Sequence, residues 1–261
     1  MARGSLVVVG TGIKIANQCT IEARHHIETA DIVFEVVGDK LAQNFVHSLN
    51  ANVVSLQHLY GHDTARSDTY EAMIGTILGA VREGKRVCAA FYGHPGVYVY
   101  PSHESVKRAR AEGFAAEMLP AVSADACVFA DLGFDPGWIG CQSFEATDFV
   151  VNERRFDPHA VLMLWQIALV GDRTLRVFES DPRRIALLAE VLMEEYPPDH
   201  LVTVYCAATL PIGAAQVETL PLRRLAEARV TQESTLIVPP LGAVQPSAKR
   251  LALVEERLAG L

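Results

Sequence analysis

The chain has 261 residues, half of them hydrophobic, and a formal net charge of −8, with an isoelectric point near 5.6. This length is ample for one large domain or two closely joined ones. The acidic balance argues against a general nucleic-acid or membrane-surface binder, which needs a basic face; short clusters such as Lys107-Arg108 and Arg223-Arg224 read as solvated helix faces.

In chain order, Ser5–Val9 reads as a buried strand, followed by Gly10 and Gly12. These two glycines are half of a dinucleotide fingerprint whose third glycine would fall at Ile15. A tight turn and a direct ligand contact both fit them, and neither NAD nor FAD is expected. Thr20–Ala30 reads as a helix capped by Thr20, with Glu22 in its first turn. Strands follow at Ile32–Val37 and Asn52–Leu56. Thr69–Glu83 reads as a helix whose Asp68 and Glu71 resemble a capping box. Arg86–Phe91 is a short apolar strand, then a helix covers Ser102–Glu112 and a strand Phe114–Leu119.

A helix at Ser123–Asp131 opens a second half of different character. Strands are expected at Ala160–Ala168, Leu201–Ala207 and Thr235–Val238, with an amphipathic helix over Arg183–Tyr196. The tail reads as a helix over Lys249–Leu258. The βα alternation of the first half predicts a mainly parallel sheet covered on both faces. The fold class is therefore α/β, with an N-terminal domain over 1–121, a C-terminal domain over 122–240 and a tail over 241–261.

The segment Phe91–His103, FYGHPGVYVYPSH, sits at the carboxyl end of a strand. Ligands of open α/β sheets bind outside those ends. Gly93 and Gly96 permit close backbone approach, while Pro95 pushes His94 toward an extended conformation. A second group is Tyr60, Arg66 and Tyr70. Arg66 and Tyr70 stand four apart and share a face if the helix reaches back to residue 66; if Asp68 caps it, they do not. An arginine stacked on a tyrosine at a helix start is the plainer reading of these residues by themselves. Gln166 after an apolar strand, Ser123-Ala124 at a helix start and Ser234-Thr235 before the last strand each suit a ligand contact or a cap.

The five cysteines form no CxxC, which suggests reduced thiols in a cytoplasmic protein. His58 and His62 stand at i,i+4 without further ligands at suitable spacing, so no metal is expected. No signal peptide or membrane-spanning run is expected.

Taken together, these stretches resemble the tetrapyrrole methylase fold and, within it, the borosin peptide backbone N-methyltransferases. The resemblance is carried by GSLVVVGTGI, RSDTYEAM, YGHPGVYVYPSH, LPAVSADACVFADLGFDP, SFEATDFVV, YPPDH and STLIVPP, from residue 4 to about 240. GHPG is common to the larger class; RxDTY followed by YGHPGV, SAxxCxxADL and FEAxDF is specific. The resemblance implies two α/β domains, each a mostly parallel or mixed sheet flanked by helices, with S-adenosylmethionine and a peptide meeting between them. It implies a catalytic pocket of Arg66, Tyr70, Tyr60 and Tyr92, and donor contacts from Tyr92, His94, Val97, Ala124, Gln166, Ala207, Ser234 and Thr235. It also implies a homodimer whose subunits complete each other's substrate channel, forming a heterotetramer if two precursor peptides bind.

Fungal borosin enzymes carry their substrate as a C-terminal extension. LGAVQPSAKRLALVEERLAGL looks like a helix and not like an apolar core peptide, so a separate precursor, methylated in trans, is expected. An amide nitrogen is a poor nucleophile because its lone pair is delocalised into the carbonyl. Tyr70 as phenolate base, with Arg66 and a tyrosine hydroxyl (Tyr60 or Tyr92) on the developing oxyanion, would answer that difficulty. The alternatives are a tetrapyrrole or other small-molecule acceptor on the same fold, or a catalytically idle peptide-binding subunit.

Overall fold

The structure is a computed structural model and describes residues 4–61, 65–173 and 180–260. Its elements in chain order are β1 (Ser5–Gly10), α1 (Ile21–Thr29), β2 (Ile32–Val36), α2 (Lys40–Leu49), β3 (Val53–Ser55), α3 (Arg66–Arg82), β4 (Arg86–Phe91), α4 (Tyr100–Ala111) and β5 (Ala115–Met118). There follow α5 (Ala124–Leu132), α6 (Pro136–Ile139), β6 (Cys141–Glu145), α7 (Ala146–Val151), β7 (Val161–Trp165), α8 (Pro182–Leu192), β8 (Leu201–Cys206), β9 (Gln216–Pro221), β10 (Thr235–Val238) and α9 (Ala248–Leu258). Short 3₁₀ turns lie at Gln57–Leu59, Ile167–Leu169 and Leu222–Glu227.

The chain divides into two compact units. One comprises the described residues of Met1–Phe134, Asp172–Phe178 and Tyr205–Gln216; the other takes Asp135–Gly171, Glu179–Val204 and Val217–Leu261. Helix α5 and two later segments thus join the unit that holds the first sheet, a grouping by contact that sequence position does not reveal.

The first unit is built on a sheet of order β3-β2-β4-β1-β5. All its pairings are parallel, with Val8 beside Ala89 and Met118 and Phe34 beside Ala89. Strand periodicity explains the layering. Leu6, Val8 and Phe34 pack on one face against Met73, Ile74 and Ile77 of α3 and Val106 of α4. Val9, Val33 and Val37 pack on the other against Ala23 and Ile27 of α1 and Ala42 and Val46 of α2. Helices after β1 and β4 therefore leave the two adjacent central strands toward opposite faces. Their carboxyl ends form the topological switch point, where such sheets bind ligands.

Two features depart from expectation here. Helix α3 starts at Arg66, three residues before the predicted start, and Asp68 does not cap it. The Asp68 and Thr69 N–H groups already donate to the Ala65 carbonyl, at 3.0 and 3.1 Å. Glu71 does not reach back to a cap, because its carboxylate takes a bidentate bond from Arg108 at 2.6 and 2.7 Å. Helix α2 carried no expectation; Asp39 caps it, accepting from Leu41 and Ala42 N–H at 2.7 and 3.0 Å.

The second unit holds a sheet of order β6-β7-β10-β8-β9. It is mixed: β6 runs parallel to β7 and β10 antiparallel to β7. Leu162, Leu164 and Leu236 meet Ile185, Leu188 and Leu192 of α8 in one core. Leu188 is fully buried, so Leu188→Ala should cost about 2–5 kcal/mol, read as a lower urea midpoint. An unchanged midpoint would show that α8 does not carry this core. Helix α9 is capped by Ser247 and buries none of its residues. Among the described residues, no helix is long and apolar enough to cross a membrane.

Candidate active site

The two loops at the switch point zip together. Beyond β1, Gly12 donates to the Gly93 carbonyl at 3.2 Å and accepts from the Gly93 N–H at 3.0 Å, while Thr11 N–H donates to Phe91 at 2.9 Å. Both glycines hold positive φ, +72° and +65°. A Cβ on Gly10 would lie 2.1 Å from the Gly93 carbonyl oxygen, and one on Gly12 2.5 Å from the Gln18 Cβ. The Gly10-Thr11-Gly12 turn is thus shaped to receive the Tyr92–Gly96 loop. The tight-turn reading of the half-fingerprint is met by this geometry.

The receiving loop is locked by its own side chains and by the start of α4. The Gly96 N–H donates to His94 Nδ1 at 2.9 Å, so a neutral His94 ring carries its proton on Nε2. Ser102, fully buried, donates to Pro95 and Val99 carbonyls, and His103 Nε2 lies 3.0 Å from the Gly96 carbonyl. Tyr98 sits at φ +57°, a region that costs a non-glycine residue and persists only where the surroundings impose it. Ser102, His103 and Tyr98 were not among the expected site residues, although the YPSH run contains two of them.

Helix α3 brings the second group together. Because it begins at Arg66, Arg66 and Tyr70 fall on one face, one turn apart. Tyr60 follows the Gln57–Leu59 turn, which Thr69 ties to α3 through its Oγ1 bond to Leu59 at 3.1 Å. Tyr60 is 40% exposed as a whole. Burial pushes its phenol up to about 12; Tyr70 adds to that shift and the Arg66 cation opposes it. Tyr60 therefore feels the charge of both neighbours and is held as a neutral donor across the physiological range. Tyr70 packs on Tyr100, with ring centroids 6.0 Å apart. Arg66 forms an ion pair with Asp172 at 3.9 Å, both side chains nearly buried. Neither Tyr100 nor Asp172 was expected; a lone aspartate after a glycine carries no sequence signal.

The remaining expected donor contacts are distributed over both units. Ala124 opens α5, behind Ser123, whose hydroxyl bonds Asp125 and does not cap the helix backbone. Ala207 follows β8, in the first unit. In the second unit, Gln166 ends β7 at φ +56°. There Ser234 and Thr235 are 2% exposed at the start of β10, and Ser234 Oγ accepts from the Thr231 N–H at 2.9 Å. His58 Nδ1 lies 2.8 Å from the Ser55 carbonyl, and His62 lies outside the described residues.

Tyr196 of the second unit, like Tyr60, has its phenol pushed up to about 12, chiefly by burial. Both start from an ordinary value of 10.0. Below that value these two phenols are protonated in the folded and the unfolded chain alike. Above it the unfolded chain gives up protons that the folded chain keeps, so stability should fall as pH rises from about 10 to 12. Urea midpoints across that range should decline, and Tyr196→Phe should decline less steeply.

Residues 5–226 match the family described as Tetrapyrrole (Corrin/Porphyrin) Methylases. A Dendrothele bispora protein named a methyltransferase and ribosomally synthesized cyclic peptide dendrothelin A precursor is 39% identical, covering 98% of this chain and 63% of its own length. An Anomoporia bombycina methyltransferase and type III borosin cyclic peptide precursor is also 39% identical, over 97% of this chain and 30% of its own length. The chain thus spans less than two thirds of these curated relatives. Among solved structures, the uroporphyrin-III-C-methyltransferase of Thermus thermophilus superposes with a TM-score of 0.66 at 19% identity, covering 97% of this chain and 96% of that one. At that identity the likeness shows the fold.

Proposed function

Since the chain belongs to the tetrapyrrole (corrin/porphyrin) methylases, we propose that it is an S-adenosylmethionine-dependent methyltransferase acting on backbone amides of a separately supplied peptide. The observation that carries this reading is the Arg66–Tyr70 face of α3 beside a Tyr60 held protonated. A cation, a phenol and a neutral hydroxyl donor are what an amide acceptor needs. Relatives that combine a methyltransferase with a cyclic peptide precursor in one name support the peptide as acceptor.

The residues present fit the donor. The nucleoside part of S-adenosylmethionine is neutral, and it suits neutral donors and acceptors such as the Gln166 amide, the Thr235 hydroxyl and the backbone at Ala124 and Ala207. Gln166 holds a strained, left-handed backbone, the kind of outlier that marks a ligand contact. His94 offers Nε2–H while its Nδ1 shapes the loop. Tyr92 and Val97 complete the set on that loop. When bound, S-adenosylmethionine supplies an electrophilic methyl group on a sulfonium sulfur.

Tyr70, having released its phenolic proton to solvent, receives the amide proton as a phenolate, and the nitrogen lone pair is freed from the carbonyl. Arg66 and Tyr60 donate to the carbonyl oxygen as negative charge develops there. The Tyr92 hydroxyl faces both donor and acceptor. Holding the amide against this set supplies orientation that the free reactants lack.

The working form is a homodimer, or a heterotetramer with two peptides, as the resemblance to the borosin enzymes implies. Light scattering should report twice the chain mass. Cysteines without disulfides among the described residues fit a reducing cytoplasm.

The test is to incubate the protein and S-adenosylmethionine with the products of short neighbouring reading frames. Intact mass should rise in steps of one methyl group, with fragmentation placing each on a backbone amide. Methyl groups confined to side chains, or a protein that binds no donor in calorimetry, would overturn the reading.

A further inference from the structure

The Asp172 carboxylate is the feature of this site that neither the fold nor the chemistry above accounts for. Its side chain is 3% exposed and that of Arg66 11%, with a nitrogen–oxygen distance of 3.9 Å. A charge taken out of water is tolerated only beside an opposite charge or a polar network. Here the opposite charge is the arginine assigned to the acceptor's carbonyl oxygen. A guanidinium has five N–H donors, more than one carboxylate can take. At 3.9 Å the contact is longer than a fork-to-fork pair.

We propose that Asp172 is the positioning residue of the Arg66–Tyr70 pair. Its buried carboxylate fixes the Arg66 guanidinium at the first turn of α3, so that an acceptor's carbonyl oxygen meets a cation already oriented. This rests on the reading of Arg66 as catalytic.

The experiment uses the whole protein labelled with ¹⁵N-arginine, with the Arg66 Nε–H resonance assigned by its loss in Arg66→Lys. In Asp172→Asn this resonance should shift and exchange with solvent roughly tenfold faster. Donor affinity by calorimetry should stay within about twofold, and peptide methylation should fall by roughly tenfold or more. Asp172→Glu should recover part of both the resonance position and the rate. An unmoved Arg66 resonance, an unchanged rate, or a donor affinity that falls in step with the rate overturns the proposal. If Asp172→Asn does not fold, the double variant Arg66→Gln/Asp172→Asn removes both charges together. Recovered folding in the double variant supports the pairing, and failure to recover it refutes it. If the unaltered protein methylates no peptide, the functional reading fails, while the resonance and the double variant still decide the role of Asp172.

Discussion

Tyr70→Phe should lower peptide methylation by about 10²–10⁴-fold, the usual worth of a positioned acid–base group, and leave S-adenosylmethionine affinity unchanged in calorimetry. The expected separation follows from where Tyr70 sits. It lies on α3 with Arg66, in contact with Tyr100. The expected donor residues of the first unit lie instead on the loop after β4, at the start of α5 and after β8. Phenylalanine keeps the ring packing and removes only the phenolic oxygen that, ionised, takes the amide proton. Arg66→Lys should also lower the rate, by less, because a lysine keeps the charge and loses the planar fork. If Tyr70→Phe methylates at the normal rate, the base lies elsewhere. If it loses donor binding in parallel, Tyr70 belongs to the donor site.

Gly10→Ala is expected to have the largest structural effect of any single methyl group added to the first sheet. The new Cβ would meet the Gly93 carbonyl oxygen at 2.1 Å, the Ala121 Cβ at 2.6 Å and the Pro95 Cδ at 2.7 Å. None of these is the far end of a flexible side chain, so relief requires moving backbone. The backbone that must move is the Gly12–Gly93 bridge. Overpacking of this kind costs about 1–3 kcal/mol, which for a chain of this size lowers the melting temperature by several degrees, on the order of 2–4 °C per kcal/mol. Because the displaced segment carries Tyr92, His94 and Val97, donor affinity should fall as well. An alanine variant with unchanged melting and unchanged donor affinity would show that the two loops do not depend on each other. Gly75→Ala is the matched control: no atom lies within 4 Å of the position its Cβ would occupy.

Much of this architecture is written locally. The strands of the first sheet announce themselves as apolar runs between glycines, and Thr20 caps α1 as its sequence suggests, accepting from Ala23 N–H at 3.0 Å. Helix α2 went unread although its local signals are ordinary, with Asp39 before it and Ala42 and Val46 on its buried side. The α3 start shows where local rules give out. Asp68 and Glu71 spell a capping box, but Glu71 is claimed by Arg108 of a different helix, thirty-seven positions away. The box does not form, the helix begins at Arg66, and Arg66 and Tyr70 share a face. The glycines of β1 illustrate the same limit. Their neighbour is a loop eighty positions on, and no pattern within Gly10-Thr11-Gly12 says so. Asp172 is the extreme case, because only the folded chain shows which cation it faces.

The strand order β3-β2-β4-β1-β5 also bears on how the protein is made. β1 leaves the ribosome first, yet both its partners, β4 and β5, are synthesised much later, at Arg86–Phe91 and Ala115–Met118. β2 and β3 can pair early, but they cannot shelter Val7, Val8 and Val9. During that interval an unpaired apolar strand is exposed, a state open to misassociation. Closing the sheet through contacts so distant in sequence is intrinsically slow. Nascent chains halted before Met118 should therefore recruit chaperones and resist native-like compaction. Chains released just beyond it should gain protease resistance in a single step, as β1 takes its place between β4 and β5.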